Sequence, residues 1–125
     1  MKLDWRLLLQ MLAFVSILAT GNAMWKYGLM RMGGFLTTGD SLVKSVMALF
    51  LNSWIWAGGV FYVLGTLVWF FILSRQNLSA VAPMLSMGYI LTGIVGIVFF
   101  HESVSLTGWI GMAMVLAGFI VLSLR

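Results

Sequence analysis

Cysteine is absent from this 125-residue chain, which excludes a disulfide, a thiolate nucleophile and a cysteine zinc cluster and leaves the redox compartment unread. One histidine alone makes no metal site. Carboxylates are almost as scarce: Asp4 precedes the first apolar run, Asp40 stands in a loop, and Glu102 sits in the last hinge. None falls inside an apolar run. An acid at mid-membrane is costly and is kept where its proton chemistry is needed, so this gap removes the simplest proton-driven transport mechanism. Charge of either sign is rare, at 8% of residues, where a soluble domain carries about a quarter. The seven basic residues are scattered at 2, 6, 26, 31, 44, 75 and 125, whereas a nucleic-acid surface needs them clustered on one face. The net charge of +4 suits anionic lipid head groups or phosphates instead. No nucleophile–base pair or cofactor motif stands out, so neither an enzyme nor a cofactor is expected.

What is present is apolar: 62% of the chain is hydrophobic. The patterning predicts a single all-α membrane domain over 1–125, with four transmembrane helices at about 7–25, 53–73, 81–100 and 107–124. Trp5 and Trp25 lie twenty residues apart, about 30 Å of helix, so both are placed as aromatic anchors at the two interfaces. Lys2 and Arg6 ahead of an apolar run, with Thr20-Gly21-Asn22-Ala23 behind it, also imitate a cleavable leader. The run is long for one and three more follow, so it is read as a span. A glycine- and threonine-rich loop is expected from Tyr27 to Asp40. Over 41–52, Ser41, Lys44, Ser45, Ala48 and Asn52 recur at helical spacing against Leu42, Val43, Val46, Met47, Leu49 and Phe50, predicting a short helix in the membrane interface. Pro83 is expected in the first turn of the third span, where its missing N–H does little harm, with a kink as the alternative. Ser105 or Thr107 caps the fourth.

Leu18, Asn22 and Lys26 follow one another at i+4 steps and form one line down the first helix. Asn22 can hydrogen-bond; Lys26 either pairs with a phosphate or only snorkels to water. Glu102 either recognises an amine or forms a structural ion pair with Lys26, since the first and third loops share a side. Tyr62 and Thr66, like Tyr89 and Gly93, are four apart, placing hydroxyls along a cavity or against neighbouring backbone. Gly111, Ala113, Ala117 and Gly118 give the last helix a small-residue surface for close packing, between chains or within one. Lys2, Arg6, Arg75 and Arg125 oppose Lys26, Arg31 and Lys44 across the membrane. A difference of one basic residue barely instructs orientation, which allows dual insertion and an antiparallel homodimer, or a partner subunit that fixes the orientation, or an ordinary protein with its N-terminus inside by a small margin.

Ala82-Pro83-Met84-Leu85-Ser86, Phe100-His101-Glu102, Val104-Ser105, Trp109-Ile110-Gly111 and Ala117-Gly118, with Gly21-Asn22 and Lys26 earlier, resemble the drug/metabolite transporter superfamily of EamA-like proteins. More closely, the chain resembles the small four-span subunits of the aminoarabinose-phosphoundecaprenol flippase, most densely from Asn77 to Leu124. The small multidrug resistance family shares the plan, but there an essential glutamate stands three residues before the glycine; here that position is Leu18. The resemblance implies a dimeric transporter subunit in the bacterial inner membrane, a homodimer or a heterodimer with a related small subunit. It implies a fourth helix that dimerises and a first-helix cavity face of Met11, Phe14, Val15, Leu18 and Asn22. The expected cargo is a polyprenyl-phosphate-linked sugar, its tail on Met11, Phe14 and Leu18, its phosphate at Asn22 and Lys26, and its amine at Glu102. Two alternatives stand beside it: a multidrug-type exporter of small cations or metabolites, and a non-transporting membrane accessory subunit.

Overall fold

A computed structural model describes residues 5–36, 39 and 41–124, and among these every regular element is helical. Asp4, Asp40, Lys2 and Arg125, named above for charge, lie outside the described residues. The order is α1 (Trp5–Arg31), α2 (Leu42–Phe50), α3 (Ser53–Arg75), α4 (Leu78–Val81), a 3₁₀ turn (Pro83–Leu85), α5 (Ser86–Phe100) and α6 (Leu106–Ser123).

The first helix does not stop at residue 25. It runs to Arg31, because Gly28 lets the start of α3 come close: Asn52 Nδ2 donates to the Gly28 carbonyl at 2.8 Å, and Tyr27 meets Trp54 edge-on at 4.6 Å. The loop therefore begins after Arg31 and not at Tyr27. Ser41 caps α2 by accepting the Lys44 N–H at 3.2 Å, and Asn52 caps α3 through the Trp54 N–H at 3.1 Å. The interfacial stretch thus contracts to a nine-residue helix between two capping residues.

The helix of the third apolar run starts at Leu78 and is broken. Pro83 is not in its first turn: one α-turn precedes it, the proline opens a 3₁₀ turn, and regular helix resumes at Ser86, whose hydroxyl donates to the Pro83 carbonyl at 2.7 Å. Proline has no N–H to give the preceding turn and its ring crowds that turn, which favours the kink. Helix α5 closes at His101, which takes left-handed φ 53°, and the His101 and Glu102 amides both turn back to the Gly96 carbonyl. Ser105, not Thr107, caps α6, accepting the Gly108 N–H at 3.2 Å.

Three stretches, Trp5–Arg31, Ser53–Arg75 and Leu78–Phe100, are long and apolar enough to cross a membrane. Helix α6, with 18 residues, carries a shorter apolar run over Leu106–Leu122. Helix α1 is the spine: α3 packs along one side of it, α5 along the other, and α6 lies outside α5. Leu7, Met11, Phe14 and Val15 of α1 close against Ile72, Val81 and Met84, forming one core at the N-terminal end of α1. Much of the exterior is apolar, including Val60, Val63, Phe70, Val98 and Leu106. That is the surface of a multi-pass membrane protein, in which lipid replaces water as the solvent.

Candidate functional site: a cleft on the first helix

Small residues set the spacing of α1 and α3. A Cβ on Gly58 would collide with Trp25 Cδ1, one on Gly21 would lie 2.9 Å from Tyr62 Cδ2, and one on Gly65 would lie 2.8 Å from Leu18 Cδ2. Trp25 therefore drops between the two helices. It stacks on Tyr62 with ring centres 4.1 Å apart and planes at 6°, and its indole N–H donates to the Ile55 carbonyl at 2.9 Å. Trp25 is thus half-buried in the packing between α1 and α3. Trp5 remains exposed.

Between α3 and α5 the front of α1 is open, and three hollows meet there at Asn22. One of about 440 Å³ runs towards the core past Leu18, Trp69, Gly88 and Tyr89. A second, of about 350 Å³, holds Lys26, Thr92, Gly96, Phe100 and Glu102. The third, about 700 Å³, lies beside Trp25, Lys26 and Leu29 under Gly33 and Gly34. The cleft is sealed at the end where Met11, Ile72, Val81 and Met84 pack and open at the end that carries Lys26.

Its polar groups are few and ordered. The Tyr62 hydroxyl donates to Asn22 Oδ1, which leaves the Asn22 amide with N–H donors to offer the cleft. Lys26 is ion-paired with Glu102 and lies 5.2 Å from the centre of the Phe100 ring. Both members of the pair are about half exposed. The Glu102 carboxylate folds back over α5 into space that only a glycine leaves, since a Cβ on Gly96 would sit 2.6 Å from Oε2. At Leu18 the cleft wall is aliphatic, and among the described residues Glu102 is the one acid lining the three hollows.

The structure thus gathers Leu18, Asn22, Lys26, Tyr62 and Glu102 around one stretch of α1. Tyr89 stands apart, 75% exposed at the rim of the lower hollow. Of the expected cavity face, Met11 is closed off at 0% exposure, while Phe14, 5% exposed and stacked on Trp69 at 5.1 Å, still borders the hollow of about 440 Å³. The core of the bundle takes up that part of the face. Thr66 turns its hydroxyl to the Tyr62 carbonyl, away from any cavity role. Sequence reasoning missed Gly96 and Thr92. Gly96 carried a signal, a glycine six residues before an acid, but its helical setting reads equally as packing. Gly111, Ala113, Ala117 and Gly118 are exposed on α6, and added Cβ atoms on the two glycines would meet nothing within 4 Å.

Fold and site together define an all-helical membrane protein with an amphipathic cleft, greasy towards its sealed end and charged at its mouth. Comparison with known proteins places it beside proteins of one kind. The chain is similar to the probable 4-amino-4-deoxy-L-arabinose-phosphoundecaprenol flippase subunit ArnE of Pseudomonas savastanoi pv. phaseolicola, 34% identical over 73 residues, which cover 58% of this chain and 64% of the relative. The subunits of the same name from Aeromonas salmonicida and from Yersinia pestis match at 36% over 71 residues (57% and 62% covered) and 33% over 60 residues (48% and 53%). The chain spans less than two thirds of the length of these relatives. No protein-family model matches it, and no solved structure does.

Proposed function

We propose that the chain is a subunit of a transporter that moves an amphiphilic, phosphate-bearing substrate, such as a polyprenyl-phosphate-linked amino sugar, across the bacterial inner membrane. The observation that carries this reading is the Lys26–Glu102 pair in a cleft whose deeper wall is Leu18 and not an acid. A half-exposed pair of this kind contributes only about 0–1 kcal/mol, so it opens readily to a better partner. A substrate bearing both phosphate and ammonium satisfies both halves at once: phosphate meets Lys26 and the Asn22 amide, and ammonium meets Glu102. A monovalent organic cation would leave Lys26 facing it, which argues against export of small cations by proton exchange.

Transport then proceeds by alternating access, the sealed core end and the open Lys26 end exchanging roles as two bundles rock against each other. A second four-helix unit is part of this reading, with α6 as the fourth span and its small-residue face as the contact. That unit is either an inverted copy of this chain or a related small subunit.

Flipping of a fluorescent polyprenyl-phosphate amino sugar in vesicles tests the proposal. Lys26→Ala should cut the rate at least tenfold while insertion stays normal. Unchanged flipping by a normally inserted Lys26→Ala protein removes the phosphate role. Glu102→Gln should blunt the preference for the amino sugar over its deaminated analogue. Proton release on adding a small organic cation to the purified protein, abolished by Glu102→Gln, would instead favour the multidrug-type exporter.

A further inference from the structure

The phosphate reading leaves little room along α1 for the long chain of such a substrate, because Met11 is fully buried in the core and the hollow past Phe14 and Leu18 ends against it. A different apolar hollow adjoins the head-group residues. It holds about 580 Å³ between α2 and α3, with Val46, Leu49, Ile55, Val60 and Leu64 among its walls and Trp25 at its inner edge. Trp25 also borders the hollow that contains Asn22 and Lys26. The two spaces therefore share one wall, and the indole N–H bonded to the Ile55 carbonyl fixes that wall at the mouth of the groove.

Length and depth fit a lipid chain. From Ile55 to Leu64 the groove follows ten residues of α3, about 14 Å of helix from first to last, close to half of a hydrocarbon core of about 30 Å. It begins at the level of Trp25 and runs towards mid-membrane, so it lies in the same leaflet as Lys26. Gly59 adds an independent observation. Its neighbour Gly58 is a glycine because α1 leaves no room, yet a Cβ on Gly59 would meet nothing within 4 Å. A glycine inside a helix costs about 1 kcal/mol relative to alanine, and no packing within the chain explains this one. It widens the groove.

We infer that the α2–α3 groove binds the first part of the substrate's polyprenyl chain, bent over Trp25 from a phosphate held at Asn22 and Lys26. The inference rests on the phosphate reading above. Its ligand is an isoprenoid chain that carries its own phosphate, and ordinary bilayer acyl chains occupy the groove only by default.

The test uses the whole protein in lipid nanodiscs with a polyprenyl phosphate bearing a photoreactive diazirine on its chain near the phosphate, and dimethylallyl phosphate as a short probe. Labelled peptides are mapped by mass spectrometry, and binding of the short probe is followed by phosphorus NMR line broadening. The expected result is label within 46–64, competed by unlabelled polyprenyl phosphate and not by excess phosphatidylglycerol. Gly59→Leu, which puts a side chain into empty space, should lower that label at least fivefold and leave the short probe's binding unchanged. Label displaced equally by phosphatidylglycerol overturns the inference and marks the groove as general lipid contact. Label on Leu85 to Thr92 in place of 46–64 also overturns it, sending the chain to the other side of α1 with the phosphate site intact. No broadening of the short probe, with or without Lys26→Ala, overturns the phosphate reading itself.

Discussion

At the scale of single residues, Gly58 and Gly59 are neighbours with opposite surroundings. The first faces the Trp25 ring and the Gly21 carbonyl; the second faces open space. Gly58→Ala should therefore destabilise the protein by about 1–3 kcal/mol, the usual range for overpacking, because the stacked Trp25–Tyr62 pair cannot simply swing aside. Gly59→Ala should be neutral or stabilising by up to about 1 kcal/mol, through helix propensity alone. Unfolding in mixed micelles with rising dodecyl sulfate, read by tryptophan fluorescence, separates the two; equal midpoints would contradict the packing described. The line Leu18, Asn22, Lys26 was legible in the sequence because i+4 spacing is a local property of a helix. Tyr62 as the partner of Asn22 was not, since forty residues separate them and no local rule joins them. The packing of Trp25 was hidden for a related reason, since Gly58, which receives its ring, lies on another helix.

At the scale of elements, α2 is inside out with respect to a helix of a water-soluble protein. Its one buried residue is Ser45, at 4% exposure, while Leu42, Val43, Met47 and Phe50 face outward. In lipid this is the stable arrangement, because an apolar outer face meets an apolar solvent. Spin labels at 47 and 45 should show it. A label at Met47 should relax readily with oxygen and poorly with a water-soluble nickel chelate, and a label at Ser45 with neither. Strong nickel relaxation at 47 would take α2 off the bilayer. The amphipathic pattern of this helix was readable from its spacing; which face turns to the protein was not, because a polar face can meet water, head groups or another helix. The break at Pro83 was readable only as an alternative. A proline near the start of a run is harmless at the first position and disruptive a turn later, and the Asn77–Leu78 boundary decided between them.

At the scale of the whole molecule, α6 is the loosely held element. Among its described residues none is buried, and it packs mainly against α5 and the 3₁₀ turn, with Phe119 reaching the core. Its small-residue face is where a second unit is expected. Single cysteines at 111 and 118 are unambiguous reporters, since the chain has no cysteine of its own, and each should cross-link across a dimer in membranes. Gly118→Ile should abolish dimers and leave the cleft side of the fold intact, because an added Cβ at that position would meet nothing within 4 Å. Dimers that persist in Gly118→Ile would move the contact to another face.

Composition and periodicity by themselves determined that the chain is helical, that it belongs in a bilayer, and that no acid lies on the first-helix line. Each is carried by residue type and local spacing. Tertiary structure alone decided which apolar residues face protein and which face lipid. In water those two environments differ in polarity and leave an alternation to read; in a membrane both are apolar, so Met11 and Leu18 look equally exposed until α3 and α5 are in place. The same reason hid the difference between Gly58 and Gly59, and joined Lys26 to Glu102 across the space that Gly96 leaves.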